Sequence, residues 1–453
     1  MRAHRDTRFF VPNDSPGGVL EELRRRIDRI DRDILDRVAE RRETVAQAFE
    51  WKAAQGSSLV DRERELRIRF ERRAWGLDLG IPVDEVDRIV DLLLQSSHRR
   101  AASTLASAAR RPQRLRPGDR VAIVSPSWGG PSKFPVVYER GLRALRERFG
   151  LEPVEMPHVR ADADWIASHP QARADDLHAA FEDDTIHGII ASIGGDDCVR
   201  VLPHLDATRL SMHPKVLLGY SDTATLTTWC HQLGFVTFNG PSVMAGFAQL
   251  DALPPEAESH IREVLFSPRE RTELRPFPWW TDGYPDWIDS ANSGSVRAHQ
   301  SHRGEWSWLQ GHGVHKGRLF GGCIEVLEFV KATPYWPHAA FWDDRVLFFE
   351  TSEEAPEITA VVRMLRNYGS QGVFDRITAV LFGRARSYPD GDKRDLEHAI
   401  GSVISGEFGQ AALPIVCDLD FGHTDPQWIL PLGVTIEIDC DRRALALIEP
   451  AVE

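Results

Sequence analysis

The sequence predicts a multidomain chain: an all-α helical N-terminal domain, then an α/β lobe on a largely parallel sheet, then a strand-rich lobe. Three observations carry this. Apolar residues recur at helical spacing through the first hundred residues. After Asp119, short β-rich runs alternate with helical patterns. Beyond residue 318, strand-like runs follow one another with few helices between them. At 453 residues the chain is longer than one hydrophobic core ordinarily organises.

The N-terminal elements come first. Residues 1–18 lack an apolar stretch and are expected to be disordered. From 19 to 98, Leu20, Leu23, Ile27, Ile30, Ile34 and Val38 mark one face of a helix that no Gly or Pro interrupts before residue 55. Such a helix spans roughly 50 Å, too long for an eighty-residue monomer to bury, and it asks for a partner. The stretch "QGSSLVD" breaks it. A second helix over 62–75 and a third after "LGIP" complete the domain. Residues 99–117, rich in small residues, Arg and Pro, read as a linker.

In 118–250, "RVAIVSPS", "HGIIASIGG" and "KVLLGYSD" are strands, and "YERGLRALRERFG" and "TATLTTWCHQLG" are helices closed by Gly150 and Gly234. The alternation is Rossmann-like, with ligands expected beyond the carboxyl ends of the strands. Residues 251–318 hold Trp279, Trp280, Trp287, Trp306 and Trp308 and read as a connector or insertion. Residues 319–453 contain "RVLFFETSEE", "ITAVLFGRA", "LPIVCDLDFGH" and "GVTIEIDC", a strand-rich, barrel-like lobe.

Composition excludes several classes. A net charge of −13 argues against nucleic-acid binding, and no run of eighteen apolar residues could cross a membrane. The five cysteines (Cys198, Cys230, Cys323, Cys417, Cys440) are scattered without a CxxC pair, so buried thiols in a cytoplasmic protein are expected, with no metal centre. Neither a dinucleotide G-x-G-x-x-G nor a P-loop occurs, and no cofactor is expected.

The functional signal is "KVLLGYSDTATL". Ser221 stands on a corner between a strand and a helix, where a nucleophile is exposed and unpaired amides face developing negative charge. The alternative is local: Ser221 caps the helix. "SIGGDD" places Gly194 and Gly195 after another strand. Glu350 ends a third strand, and His423 follows a fourth. A serine, a carboxylate and an imidazole at strand ends are what a catalytic triad needs, though spacing alone does not bring them together.

Residues 118–450 resemble the LD-carboxypeptidase family of serine peptidases, through "VAIVSPS", "SIGGDD", "GYSDTATL", "FNGPSV", "GRLFGGCIEVL", "ATPYWP", "VLFFETSEE", "LFGRA" and "FGHTDPQWILPLG" in order. The resemblance implies a triad of Ser221, Glu350 and His423. It also implies an oxyanion hole from the backbone amides of Asp222 and Gly195, and a small-molecule or short peptide-like substrate cleaved at an amide through an acyl-enzyme. The Trp-bearing segment and "ETSEE" lean toward the microcin-immunity branch, in which an aromatic side chain stacks on a nucleobase. Cys323, where many relatives have Asn, and the Asp196–Asp197 pair depart from the family text.

The segment "LRRRIDRIDRDILDRVAERRETVAQAFEWKAAQGSSLVDRERE" resembles an all-helical chorismate mutase. The resemblance carries Arg24, Arg41, Lys52, Asp61, Arg64 and Glu65 onto a site that grips a dicarboxylate. Arg41 and Lys52, eleven residues apart, share a helix face. Arg24 lies seventeen residues before Arg41, about 25 Å away along a straight helix, so a homodimer in which a neighbouring chain donates Arg24 is expected. Near Ala101 the family expects a Gln or Glu that this chain lacks, with only Gln95 close by. That leaves open a dimerisation module that kept its ancestral cations. A non-hydrolytic chain in which both domains bind ligands or partners is the rival reading.

Overall fold

The structure is a computed structural model describing residues 16–54, 62–106, 109–301 and 305–453. The chain divides into two compact units, Met1–Thr104 and Leu105–Glu453.

The first unit is three helices: α1 (Pro16–Ala54), α2 (Arg62–Asp78) and α3 (Val83–Ala106). Gly80, at φ +72, closes α2, with the Ile81 amide bonded back to the Gly76 carbonyl, and Pro82 precedes α3. Val86, Val90 and Leu94 form a small core. Arg73 grips Asp87 at 2.7 and 2.9 Å, and Arg69 pairs with Asp91, joining α2 to α3. Along α1, Leu23, Ile27, Ile30 and Ile34 stay about half exposed. The break expected at "QGSSLVD" falls outside the described residues, as do 1–15.

Two boundaries differ from expectation. Residues 99–106, read as linker, continue α3, because Ala101, Ala102 and Ala106 are strong helix formers. Residues 109–117 are not free either. Leu115 is buried, Arg110 bridges Phe235, and the Arg114 amide donates to the Glu453 carbonyl.

The second unit holds two sheets around one continuous core. Its strands are β1 (Arg120–Val124), β2 (Glu152–Glu155), β3 (Ile186–Ala191), β4 (Val216–Gly219), β5 (Thr237–Asn239), β6 (Thr272–Leu274) and β7 (Ser307–Gln310). There follow β8 (Val314–Cys323), β9 (Arg345–Glu350), β10 (Ala379–Gly383), β11 (Ile415–Leu419), β12 (Leu430–Leu432), β13 (Thr435–Asp439) and β14 (Ala444–Leu447). The first sheet runs β12-β5-β4-β3-β1-β2, with β1 to β5 parallel and β12 antiparallel on β5. The second runs β6-β14-β13-β8-β9-β10-β11-β7.

The second sheet is parallel from β8 through β11. Parallel neighbours need crossovers, and helices Ile358–Ser370 and Asp390–Gly401 provide them between β9, β10 and β11. The expectation of few helices here missed both, since their apolar positions are brief beside the strand runs. The Trp-rich segment is likewise more than a connector. It supplies helix Pro255–Leu265, the edge strands β6 and β7, and the start of β8. Every residue of β4 and β9 is buried, which is why both read as unbroken apolar runs.

Candidate active site

The site gathers at strand ends. Ser221 follows β4, Glu350 is the last residue of β9, and His423 lies in the turn after β11. From His423 the chain crosses to the first sheet and adds β12 beside β5, so an imidazole that begins in the second sheet ends over the first. Asp425 holds the crossing by exchanging both backbone hydrogen bonds with Thr281.

Ser221 adopts φ +58, a left-handed conformation that costs a side-chain-bearing residue about 1–3 kcal/mol. The N-cap position of the helical turn that starts at Ser221 is Tyr220, with no side-chain cap bond. Its Oγ lies 3.1 Å from His423 Nε2, and His423 Nδ1 lies 2.5 Å from Glu350 Oε2. The three predicted side chains therefore form one hydrogen-bonded chain. Gly422, at φ +101, permits it: a Cβ there would stand 2.7 Å from the Glu350 Cβ. The Tyr220 ring packs on His423 at 5.0 Å.

The glycine turn closes over Ser221. A Cβ on Gly194 would lie 2.8 Å from the Ser221 Cβ and 3.5 Å from the Asp222 nitrogen. The Asp222 carboxylate, buried completely, accepts from the Asp197 amide at 3.0 Å and the Cys198 amide at 2.8 Å. Burial pushes that carboxyl up to about 6 against those bonds. Asp222 thus pins the turn with its side chain, a task its sequence context did not disclose. Of the acidic pair, Asp197 is engaged by the buried guanidinium of Arg173 at 2.7 Å.

Sequence reasoning missed Glu353 and Arg386. Glu353 Oε2 stands 3.1 Å from His423 Nε2, the same nitrogen that faces Ser221. Burial opposes a charged imidazole, but Glu350 and Glu353 outweigh it and push His423 up to about 10. The hydrogen bond to His423 holds Glu353 down at about 2. The signal for Glu353 was the doubled glutamate of "ETSEE"; Arg386 had none beyond lying past "LFGRA". Cys323 is buried and donates to Glu325, which accepts from the Ser352 amide at 2.9 Å and so steadies the loop bearing Glu353.

Of the tryptophans, Trp280, Trp287 and Trp306 are buried. Trp279 is partly exposed and stacks on His299 at 3.6 Å. Trp306 donates to Asp420 at 2.8 Å. Among the described residues no cluster of three His, Cys, Asp or Glu side chains could hold a metal, and no helix is long and apolar enough to cross a membrane.

In the helical unit, Arg41 Nη1 donates to the Leu93 carbonyl at 3.1 Å and to Ser97 Oγ at 3.0 Å, joining α1 to α3. Burial and the neighbouring Arg72 lower its pKa. Arg24 is exposed beside Glu21, and Arg64 lies near Glu71. Asp61 and the side chains of Lys52, Glu65 and Gln95 lie outside the described residues. Ser97 and Arg72 were not predicted.

Fold and corner serine together define a two-sheet hydrolase family preceded by a helical domain: the chain belongs to the LD-carboxypeptidase family. Residues 121–240 match its N-terminal domain and 316–438 its C-terminal domain, while 23–101 match chorismate mutase type II. A Streptomyces coelicolor protein classed as a carboxypeptidase is 31% identical over 349 residues, 76% of this chain and 97% of that one. The microcin C7 self-immunity protein MccF of Escherichia coli is 26% identical over 61% of this chain and 78% of its own. The murein tetrapeptide carboxypeptidase of Pseudomonas aeruginosa is 26% identical over 71% and 94%. Among solved structures, an MccF-like protein from Streptococcus pneumoniae in complex with AMP superposes with TM-score 0.65 at 30% identity, covering 72% of this chain and 98% of that one. MccF in complex with glutamyl sulfamoyl guanosine shares the fold, with TM-score 0.67 at 24% identity over 76% and 99%.

Proposed function

We propose that the second unit hydrolyses an amide by a serine acyl-enzyme mechanism. The continuous hydrogen-bonded chain Ser221–His423–Glu350 carries this reading. Glu350 orients the imidazole. His423 takes the Ser221 proton as Oγ bonds to the carbonyl carbon, then passes it to the leaving nitrogen as the C–N bond breaks. In this reading the backbone amides of Asp222 and Gly195 stabilise the oxyanion. Water releases the acyl group by the reverse proton path.

Two substrate classes follow from the relatives: a murein peptide with a free C-terminal residue, and an aminoacyl nucleotide like those MccF binds. Incubating the full chain with a murein tetrapeptide and, separately, with glutamyl sulfamoyl guanosine, and following products by mass, tests the reading. Hydrolysis that falls at least about a thousandfold in Ser221→Ala supports it; a Ser221→Ala enzyme as fast as wild type refutes it.

For the helical unit, the proposal is a homodimer that rearranges chorismate to prephenate. The half-exposed Leu23, Ile27, Ile30 and Ile34 stripe would bury against the partner, whose α1 would bring its own Arg24 to Arg41. Loss of chorismate absorbance with the full chain, abolished by Arg41→Ala, is the test. A dimer without turnover would favour the dimerisation module.

A further inference from the structure

Arg386 is only 6% exposed, and no carboxylate of a described residue reaches ion-pair distance of its guanidinium; the Tyr284 hydroxyl hydrogen-bonds it, while its Nε–H has no acceptor. The group lies against Gly283, where a Cβ would come 3.0 Å from Cζ, and its Cζ stands 5.3 Å from the centre of the Tyr284 ring. Tyr220, Glu353 and Asp425 surround it at longer range. A buried cation without a carboxylate at ion-pair distance is costly, and a bidentate anion relieves that cost best.

Its position relative to the chemistry decides which anion. In amide hydrolysis His423 Nε2 serves two atoms in turn, the serine oxygen and the leaving nitrogen. In this structure Nε2 also has two neighbours at 3.1 Å, Ser221 Oγ and Glu353 Oε2. Glu353 therefore stands in the leaving group's place. Its side chain is 54% exposed and free to move into water. Arg386 is the guanidinium whose charge acts on Glu353, and the free carboxylate of a departing amino acid is one carbon from its nitrogen.

We propose that Arg386 is the specificity-determining anchor for a free carboxylate on the leaving residue, and that Glu353 holds the leaving-group place until substrate displaces it. This rests on the amide-hydrolase reading. It gives the site a preference for cutting at the end of a peptide over cutting within one.

The test compares one peptide substrate with its C-terminal carboxamide, using full-length wild type, Arg386→Gln and Arg386→Lys, with thermal melts as a check on folding. The wild type should favour the carboxylate. Arg386→Gln should lose at least about thirtyfold in kcat/KM on the carboxylate, mostly through KM, and change little on the carboxamide. Arg386→Lys should recover part of the difference. Equal loss on both substrates, or an unchanged preference, overturns the proposal. Binding of the same two peptides to Ser221→Ala and Ser221→Ala/Arg386→Gln separates this from the parent reading. If no peptide is cleaved but binding still needs Arg386 and the carboxylate, the anchor stands and the hydrolase assignment fails. If binding ignores both, the anchor fails.

Discussion

Gly194→Ala places one methyl group where the geometry leaves no room. The new carbon would stand 2.8 Å from the Ser221 Cβ and 2.9 Å from its Oγ. Gly194 is outside the left-handed region, so the backbone accepts alanine and the consequence is steric alone. Either the glycine turn or Ser221 must move by several tenths of an ångström. Ser221 already sits in a strained conformation, and the turn is tied through Asp197 and Cys198 to the Asp222 carboxylate. Whichever moves, nucleophile and amide donors lose register. Loss of one oxyanion donor costs about 2.7–4 kcal/mol, or roughly a hundred- to thousandfold in kcat. The overpacking itself should cost about 1–3 kcal/mol of stability. The assay is kcat/KM on whichever amide the wild type cleaves, with the rate of fluorophosphonate labelling of Ser221 and a circular-dichroism melt alongside. A folded variant with wild-type turnover and labelling would refute the argument that this turn forms the oxyanion site.

Three further outcomes are expected. Glu353→Gln removes one of two carboxylates that favour the imidazolium, so the neutral base forms at lower pH. The acid limb of kcat/KM should move to lower pH, and an unmoved limb would show that the Glu353 contact does not matter in solution. His423 has a folded value of about 10 against an ordinary 6.5, so its contribution to stability is complete below 6.5 and lost as pH rises through 10. Glu350→Gln should therefore lower the melting temperature at pH 6 more than at pH 10.5. In the helical unit, Ile27→Asp with Ile30→Asp places charge on residues 56% and 49% exposed. Sedimentation should show the variant at half the mass of the wild type; an unchanged mass would mean that this stripe is not the dimer surface.

The sequence showed the corners of this fold better than its connections. Ser221 and Glu350 stood out because one lies just past, and the other ends, a fully buried parallel strand, and such strands are continuous apolar runs with a polar stop. His423 was legible as a residue after a strand, but its meeting with Ser221 depends on the crossing of β12 between sheets, which no local pattern reports. The end of α3 was misplaced because alanines serve a linker and a helix equally well until tertiary contacts decide. Glu353 and Arg386 were invisible for another reason. Charged residues in loops are ordinarily solvated, and only three-dimensional placement shows that one meets His423 Nε2 and the other is buried without a counterion.

The crossing of β12 also bears on how the protein is made. Ser221 and His423 are separated by 202 positions, and the strand that docks the latter over the former leaves the ribosome long after the β5 edge it covers. Until then β5 is an open sheet edge and Ser221 has no imidazole beside it. A nascent or truncated chain lacking residues beyond 420 would thus carry Ser221 without its imidazole and an edge exposed to aggregation. The Ser221–His423 contact and protection of that edge arrive in the same folding event.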